Sequence, residues 1–147
     1  MILIEHKKAH LNFAVIEEFE AGIELHGFEV KALRQKTGKL EGAHVIVRGK
    51  EAYLVGMHIP PYQPSNTPKD YEPDRTRKLL LNKKELITLT NAEAQKGLTI
   101  VPFSIYTKNR KLKVRIAIAR GRKQYDKREV LKKRDAQRDI NRSLKQQ

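Results

Sequence analysis

Hydrophobic and polar residues alternate from Leu11 to Leu25. Leu11, Phe13, Val15, Phe19, Ala21, Ile23 and Leu25 fall on one parity, and Asn12, Glu18, Glu20 and Glu24 on the other. A period of two over that length predicts a long strand with one buried face, and Gly22 is the expected site of a bulge within it. The stretch Gly27–Arg34 carries Phe28, Val30, Ala32 and Leu33, a spacing that a short helix accommodates without excluding a strand. Two further alternating runs, His44–Arg48 and Glu51–Val55, flank Gly49-Lys50 and predict a hairpin with a type II′ turn. Asn82 followed by Glu85 has the form of a capping box, Leu86, Leu89 and Ala92 continue at helical spacing, and Gly97 suits the C′ position of that helix. A last strand pair is predicted over 99–106 and 112–119, joined by a turn at Lys108–Lys111. In its second strand Leu112, Val114, Ile116 and Ile118 face inward, with Lys113 and Arg115 facing out.

Between the first hairpin and the capping box lies a loop holding Pro60, Pro61, Pro64, Pro68 and Pro73, where proline removes ladder donors and blocks helix. The predicted order is therefore strand, short helix, hairpin, helix, hairpin. A mainly β domain with five or six antiparallel strands and a helix between the third and fourth fits a small barrel of the oligonucleotide-binding (OB-like) type; a split sheet packed on the helices is the alternative. The domain is expected over residues 1–120 and a basic C-terminal tail over residues 121–147.

Charge sharpens that division. The chain has 147 residues and a net charge of +14. Residues 1–107 carry 15 Lys or Arg against 13 Asp or Glu, whereas residues 108–147 carry 16 against 4. Solubilising charge would not segregate in this way, so the imbalance points to a polyanionic partner, a nucleic acid or an anionic membrane surface. Beyond residue 125 the large apolar residues are Val130, Leu131, Ile140 and Leu144. That is too little to offset about 1–2 kcal/mol of backbone ordering per residue, so the tail is expected to be disordered when free. Its composition is nonetheless helix-competent, with Glu129–Lys133, Asp135–Arg138 and Asp139–Arg142 at compatible spacings. The absence of cysteine excludes disulfides and thiolate metal sites, and makes a reducing cytosol the simplest home. Met1–Glu5 is too short for a signal peptide.

Catalytic constellations are missing. Ser65, Ser104 and Ser143 sit in no nucleophile elbow, and there is no Walker loop or dinucleotide glycine pattern. His6, His10, His26, His44 and His58 lack zinc-ligand spacing, so no metal, no cofactor and no enzymatic activity are expected.

Four segments occur in a telling order: Glu18–Ile23, Gly27–Arg34, Arg75–Asn82 and Gly121–Arg128. With them the chain resembles the small protein B, or SsrA-binding, family over nearly its whole length. The resemblance implies a bacterial adaptor that binds the tRNA-like part of transfer-messenger RNA and delivers it to stalled ribosomes for trans-translation. It also implies a tail that enters the empty mRNA channel near the decoding centre of the small subunit and becomes helical there, and an encounter with elongation factor Tu through the RNA. A monomer is expected. The family's RNA-contact positions fall on Glu20, Leu80 and Asn82; solvent exposure, core packing and helix capping are their ordinary alternatives. Arg75, Arg77 and Lys78 read as phosphate contacts, which position rather than specify. The tail motif of the family falls on Gly121, Lys123, Tyr125, Asp126, Lys127 and Arg128, with Tyr125 available to stack on a ribosomal base. Departures from the family pattern lie at His6–His10, at Gly38 and at Glu72-Pro73. A basic structural ribosomal protein and a small ribonuclease are the competing readings.

Overall fold

The long alternating segment sets the geometry of everything else. In the computed structural model, which describes residues 1–145, this segment forms α1 (Ala9–Asn12) and β2 (Phe13–Ile23). The remaining strands are β1 (Ile2–Glu5), β3 (His44–Arg48), β4 (Glu51–Val55), β5 (Arg77–Leu80), β6 (Leu98–Lys108) and β7 (Lys111–Gly121). The helices are α2 (Gly27–Arg34), α3 (Lys83–Glu93) and α4 (Gln124–Lys145), with a single 3-10 turn at Pro64–Asn66. All seven strands join one sheet in the order β1-β6-β7-β2-β5-β4-β3, and every ladder is antiparallel.

The sheet curls into an OB-like half-closed barrel around Leu33, Leu40, Leu54, Met57, Ile59, Leu79, Leu89, Ile100, Ile105, Val114 and Ile116, all at most 2% exposed. No ladder joins the edge strands β1 and β3. Instead α3 lies against both β3 and β6. Its Glu93 accepts from the Val47 amide of β3 at 2.7 Å and from Arg48 at 2.5 Å. A helix carboxylate thus satisfies an edge amide that the open barrel leaves unpaired. A second, smaller core on the opposite sheet face gathers Ala9, Phe13, Val101, Phe103, Ala117 and Ala119.

Several expectations change. The bulge in β2 falls between Val15 and Glu17 rather than at Gly22, and the shift turns Val15 and Ile16 outward, 37% and 55% exposed. The β3–β4 turn has φ of +58° at Gly49 and +65° at Lys50, which is the type I′ pattern rather than II′. Asn109 and Arg110, between β6 and β7, repeat it at +51° and +65°. α3 ends at Ala94, so Gly97 belongs to the connection into β6 and is not its C′ residue. Strands β1 and β5 were not anticipated. Pro102 is tolerated inside β6 because the β6–β7 register shifts between it and Ser104.

β7 ends at Gly121 and α4 begins at Gln124. Arg122 fixes the junction, donating its amide to the Asn12 carbonyl at 2.8 Å and its Nε to that of His10 at 3.3 Å.

Candidate nucleic-acid interface

Glu20 sits on the exposed side of β2, opposite Arg115 of β7. Both its oxygens lie 3.3 Å from the Lys108 amine, and the Tyr106 hydroxyl donates to it from β6. That hydrogen bond holds the Glu20 carboxyl below its ordinary range against an opposing push from burial, and Lys108 and Lys113 add to the lowering. Glu20 therefore stands as an ionised, acceptor-only group among cations.

Leu80 closes β5 opposite Gly22 of β2 and is 49% exposed. A Cβ on Gly22 would come within 3.1 Å of the Leu80 Cβ, so the missing side chain lets the two strands approach with Leu80 lying over the gap. Leu80 shares an open groove of about 370 Å³ with Arg34, Arg110, Lys111 and Lys113. Lys113 is thus common to the surroundings of Glu20 and of Leu80. Asn82, two residues beyond, caps α3: its Oδ1 accepts from the Glu85 amide at 2.8 Å while Glu85 Oε1 accepts from the Asn82 amide at 3.1 Å. Capping occupies only the oxygen side of Asn82, and among the described residues its amide nitrogen has no hydrogen-bond partner.

The basic run after the proline-rich loop divides. Arg77 is fully buried and is not a phosphate contact. As the first residue of β5 it points into the barrel, where its guanidinium donates to Glu29 at 2.6 and 3.0 Å, to the Met57 carbonyl at 2.5 Å and to the Pro73 carbonyl at 2.9 Å. Glu29, also 0% exposed, accepts in addition from Arg75, from the His26 amide at 2.8 Å and from the Tyr71 hydroxyl at 3.0 Å. Burial pushes this carboxyl up, but Arg75, the His26 amide and Arg77 outweigh it and hold it at about 2. The same surroundings push Tyr71 up to about 12, burial first and the Glu29 charge next. The cluster ties the start of α2 to β5 and to the proline-rich loop. Arg75 remains partly exposed and, with Lys78, Tyr53, His26 and Glu24, lines a second open groove of about 570 Å³. Lys78 pairs with Glu51 at 2.9 Å.

Sequence reasoning missed Tyr106, Lys108, Arg34, Arg110 and Lys111. The signal available was the I′ turn itself, which gathers three of these cations at one end of the β6–β7 hairpin. His6 is buried at 7% exposure, and among the described residues its Nδ1 has no hydrogen-bond partner; His10 packs at a tilt against Phe103, ring centres 4.8 Å apart. Among the described residues no group of three or more His, Cys, Asp or Glu is placed to hold a metal, and no helix is long and apolar enough to cross a membrane.

In the tail, Gly121 pairs with Phe13 at the end of β7, and Lys123 is exposed just before α4. Lys127 and Arg128 lie in the first turns of α4; the side chains of Tyr125 and Asp126 lie outside the described residues. Glu129 pairs with Lys132 at 3.7 Å rather than with Lys133. Leu131, Ile140 and Leu144 are 44%, 53% and 63% exposed.

The SmpB protein family model matches residues 3–146. The chain is 43% identical to the SsrA-binding protein of Mycoplasma mycoides subsp. mycoides over 93% of each chain. It is 44% identical to that of a Sulfurihydrogenibium species over 98% of this chain and 94% of the relative. Among solved structures, a chain described under tmRNA-SmpB and its journey to the centre of the bacterial ribosome superposes with a TM-score of 0.68 at 38% identity, covering 86% of this chain and 92% of that one.

Proposed function

The chain belongs to the SmpB protein family, and we propose that it is the RNA-binding adaptor of ribosome rescue. It binds the tRNA-like part of transfer-messenger RNA and brings that RNA to stalled ribosomes, meeting elongation factor Tu through the RNA. The carrying observation is the extent of the match, which covers both the barrel and the cationic tail. The division of charge between them supports separate partners for each part.

The barrel holds the structured RNA. Arg34, Arg110, Lys111 and Lys113 take phosphates around the Leu80 groove, and Arg75 and Lys78 take them in the neighbouring one. Glu20 accepts from the donor edge of an unstacked base, and the free amide donors of Asn82 serve an acceptor beside it. Leu80 offers an apolar surface for a base or ribose between them. The tail, from Gly121 through Lys123, Tyr125, Asp126, Lys127 and Arg128 to residue 147, engages ribosomal RNA near the decoding centre and runs along the empty mRNA channel. The workplace is the cytoplasm, and no chemical step is assigned to any side chain.

Removing residues 124–147 tests the division. The truncated protein binds a tRNA-like RNA fragment with near-native affinity but supports no peptide tagging on ribosomes stalled at the end of an mRNA. Loss of RNA affinity on truncation would sink the assignment, as would high-salt-resistant, stoichiometric presence on all ribosomes, which marks a structural ribosomal protein. Labelled RNA incubated with the protein, with and without divalent metal, stays intact.

A further inference from the structure

On the exposed face where β2, β7 and β6 run side by side, Glu20 is not an isolated carboxylate. The Tyr106 hydroxyl donates to Glu20 Oε2, and the Arg115 guanidinium lies 5.6 Å from the centre of the Tyr106 ring. Arg115 is itself the cross-strand partner of Glu20, and Tyr106 is the cross-strand partner of Lys113. Glu20, Tyr106 and Arg115, on three strands, therefore brace one another, with Lys113 beside them on the same face. Lys108 completes the ring of charge, 3.3 Å from both Glu20 oxygens.

We propose that Tyr106 is a positioning residue for RNA recognition, acting through Glu20. This rests on the reading that Glu20 contacts RNA. A strand glutamate has three side-chain torsions and, unbraced among lysines, exchanges among several ion pairs. The tyrosine has few rotamers, its ring is held by Arg115, and its hydroxyl fixes one carboxylate oxygen. Lys108 shares both oxygens, and the lone pairs that Tyr106 and Lys108 do not take are held in a defined direction, which a hydrogen-bonded readout of a base edge requires. The same bond favours the ionised form, so the group stays acceptor-only when a base donor arrives. Tyr106 responds in kind: burial, then the Glu20 hydrogen bond and charge, push its hydroxyl up to about 12, so it remains a donor.

A double-mutant cycle tests this with full-length protein and a tRNA-like RNA fragment. Glu20→Ala alone tests the underlying reading: unchanged affinity would remove Glu20 from the interface. With Glu20 effective, Tyr106→Phe weakens binding about ten-fold, the scale of one hydrogen bond to a charged group, yet has no further effect in the Glu20→Ala background, where no acceptor is left for its hydroxyl. Additive losses would mean that Tyr106 acts independently of Glu20 and would overturn the proposal, as would full affinity in Tyr106→Phe when Glu20→Ala is impaired. A carbon-detected titration of the Glu20 carboxyl separates positioning from a merely structural role. The groups facing this carboxyl are Tyr106 and Lys108 from β6 and Lys113 and Arg115 from β7. Losing the Tyr106 hydroxyl raises its midpoint while the cations stay in place; an unmoved midpoint in a folded Tyr106→Phe protein would count against the proposal.

Discussion

At the scale of single residues, the arginine that sequence reading assigns to RNA is one of the supports of the fold. Arg77 and Glu29 are a buried pair whose remaining donors and acceptors are met by Met57, Pro73, Tyr71 and Arg75. Removing Glu29 leaves Arg77 as an uncompensated buried charge, and removing Arg77 leaves the buried Glu29 with only the partly exposed Arg75 as counter-charge and the Met57 and Pro73 carbonyls without their donor. Arg77→Ala should therefore cost about 3–5 kcal/mol, read from urea unfolding, and any fall in RNA affinity should track the fraction unfolded. The pair also sets an acid limit. The Glu29 carboxyl is at about 2 in the folded chain, below its ordinary 4.5. A depressed carboxylate contributes its stabilisation fully above the unfolded value and loses it as pH falls from there toward the folded one. Urea midpoints should decline between about pH 5 and 2, and Glu29→Gln should flatten that decline while lowering stability at neutral pH. Asn82 permits a cleaner separation of fold from function. Asn82→Asp keeps an N-cap acceptor and removes the amide donors, so RNA affinity falls with helix stability retained, whereas Asn82→Ala also costs about 1 kcal/mol. Equal losses of affinity and stability in the two variants would mean that Asn82 only caps.

At the scale of elements, the sequence revealed what depends on local periodicity and hid what depends on the facing partner. β3, β4, β6, β7 and the α3 capping box carry their own pattern and were legible, whereas the spacing in Gly27–Arg34 left α2 undecided between helix and strand. β5 was not, because its inward positions are Arg77 and Leu79; an arginine at a core position reads as surface until Glu29, 48 residues away, is known to meet it. β1 has only four residues and takes its place by pairing with β6. The β2 bulge falls among Val15, Ile16 and Glu17, where nothing but the register against β7 selects the extra residue. The candidate site shares this split: Glu20, Leu80 and Asn82 were within reach of a family pattern, while Tyr106 and Lys108 required the pairing of β6 with β7. Gly22 shows the consequence for function. Gly22→Val pushes on Leu80, whose Cβ would stand 3.1 Å from the new Cβ and cannot turn away, so β2 and β5 must part slightly there. The gain from replacing a strand glycine, about 0.5–1 kcal/mol, offsets part of that crowding. Thermal stability should fall modestly while RNA affinity drops by more than the unfolded fraction explains; wild-type affinity would show that the placement of Leu80 is immaterial to binding.

At the scale of the whole molecule, the protein is two objects with different stabilities. The barrel has a continuous core and clamped edges. α4 has 22 residues and spans about 33 Å, but Leu131, Ile140 and Leu144 are exposed, and among the described residues the element it packs against most is the short α1. An isolated helix of this length is near the margin of stability in water. Of the twelve excess positive charges in residues 108–147, eight lie in residues 108–123 and four in residues 124–147, so repulsion within α4 and from the basic segment before it works against the helix until a polyanion screens it. We propose that the helix is in rapid exchange with open conformations in the free protein and persists once the tail lies against ribosomal RNA. Amide exchange should then show strong protection throughout β6 and β7, little beyond residue 128, and new protection across residues 128–145 in the presence of the small subunit. Raising salt should increase the helix content of the free tail by weakening repulsion, while lowering its affinity for RNA through the loss of counterion release. Those opposite responses follow from one cause, the excess of positive charge at the C-terminal end of the chain. A free tail already protected at low salt would mean that its own packing, rather than the partner, supplies the order.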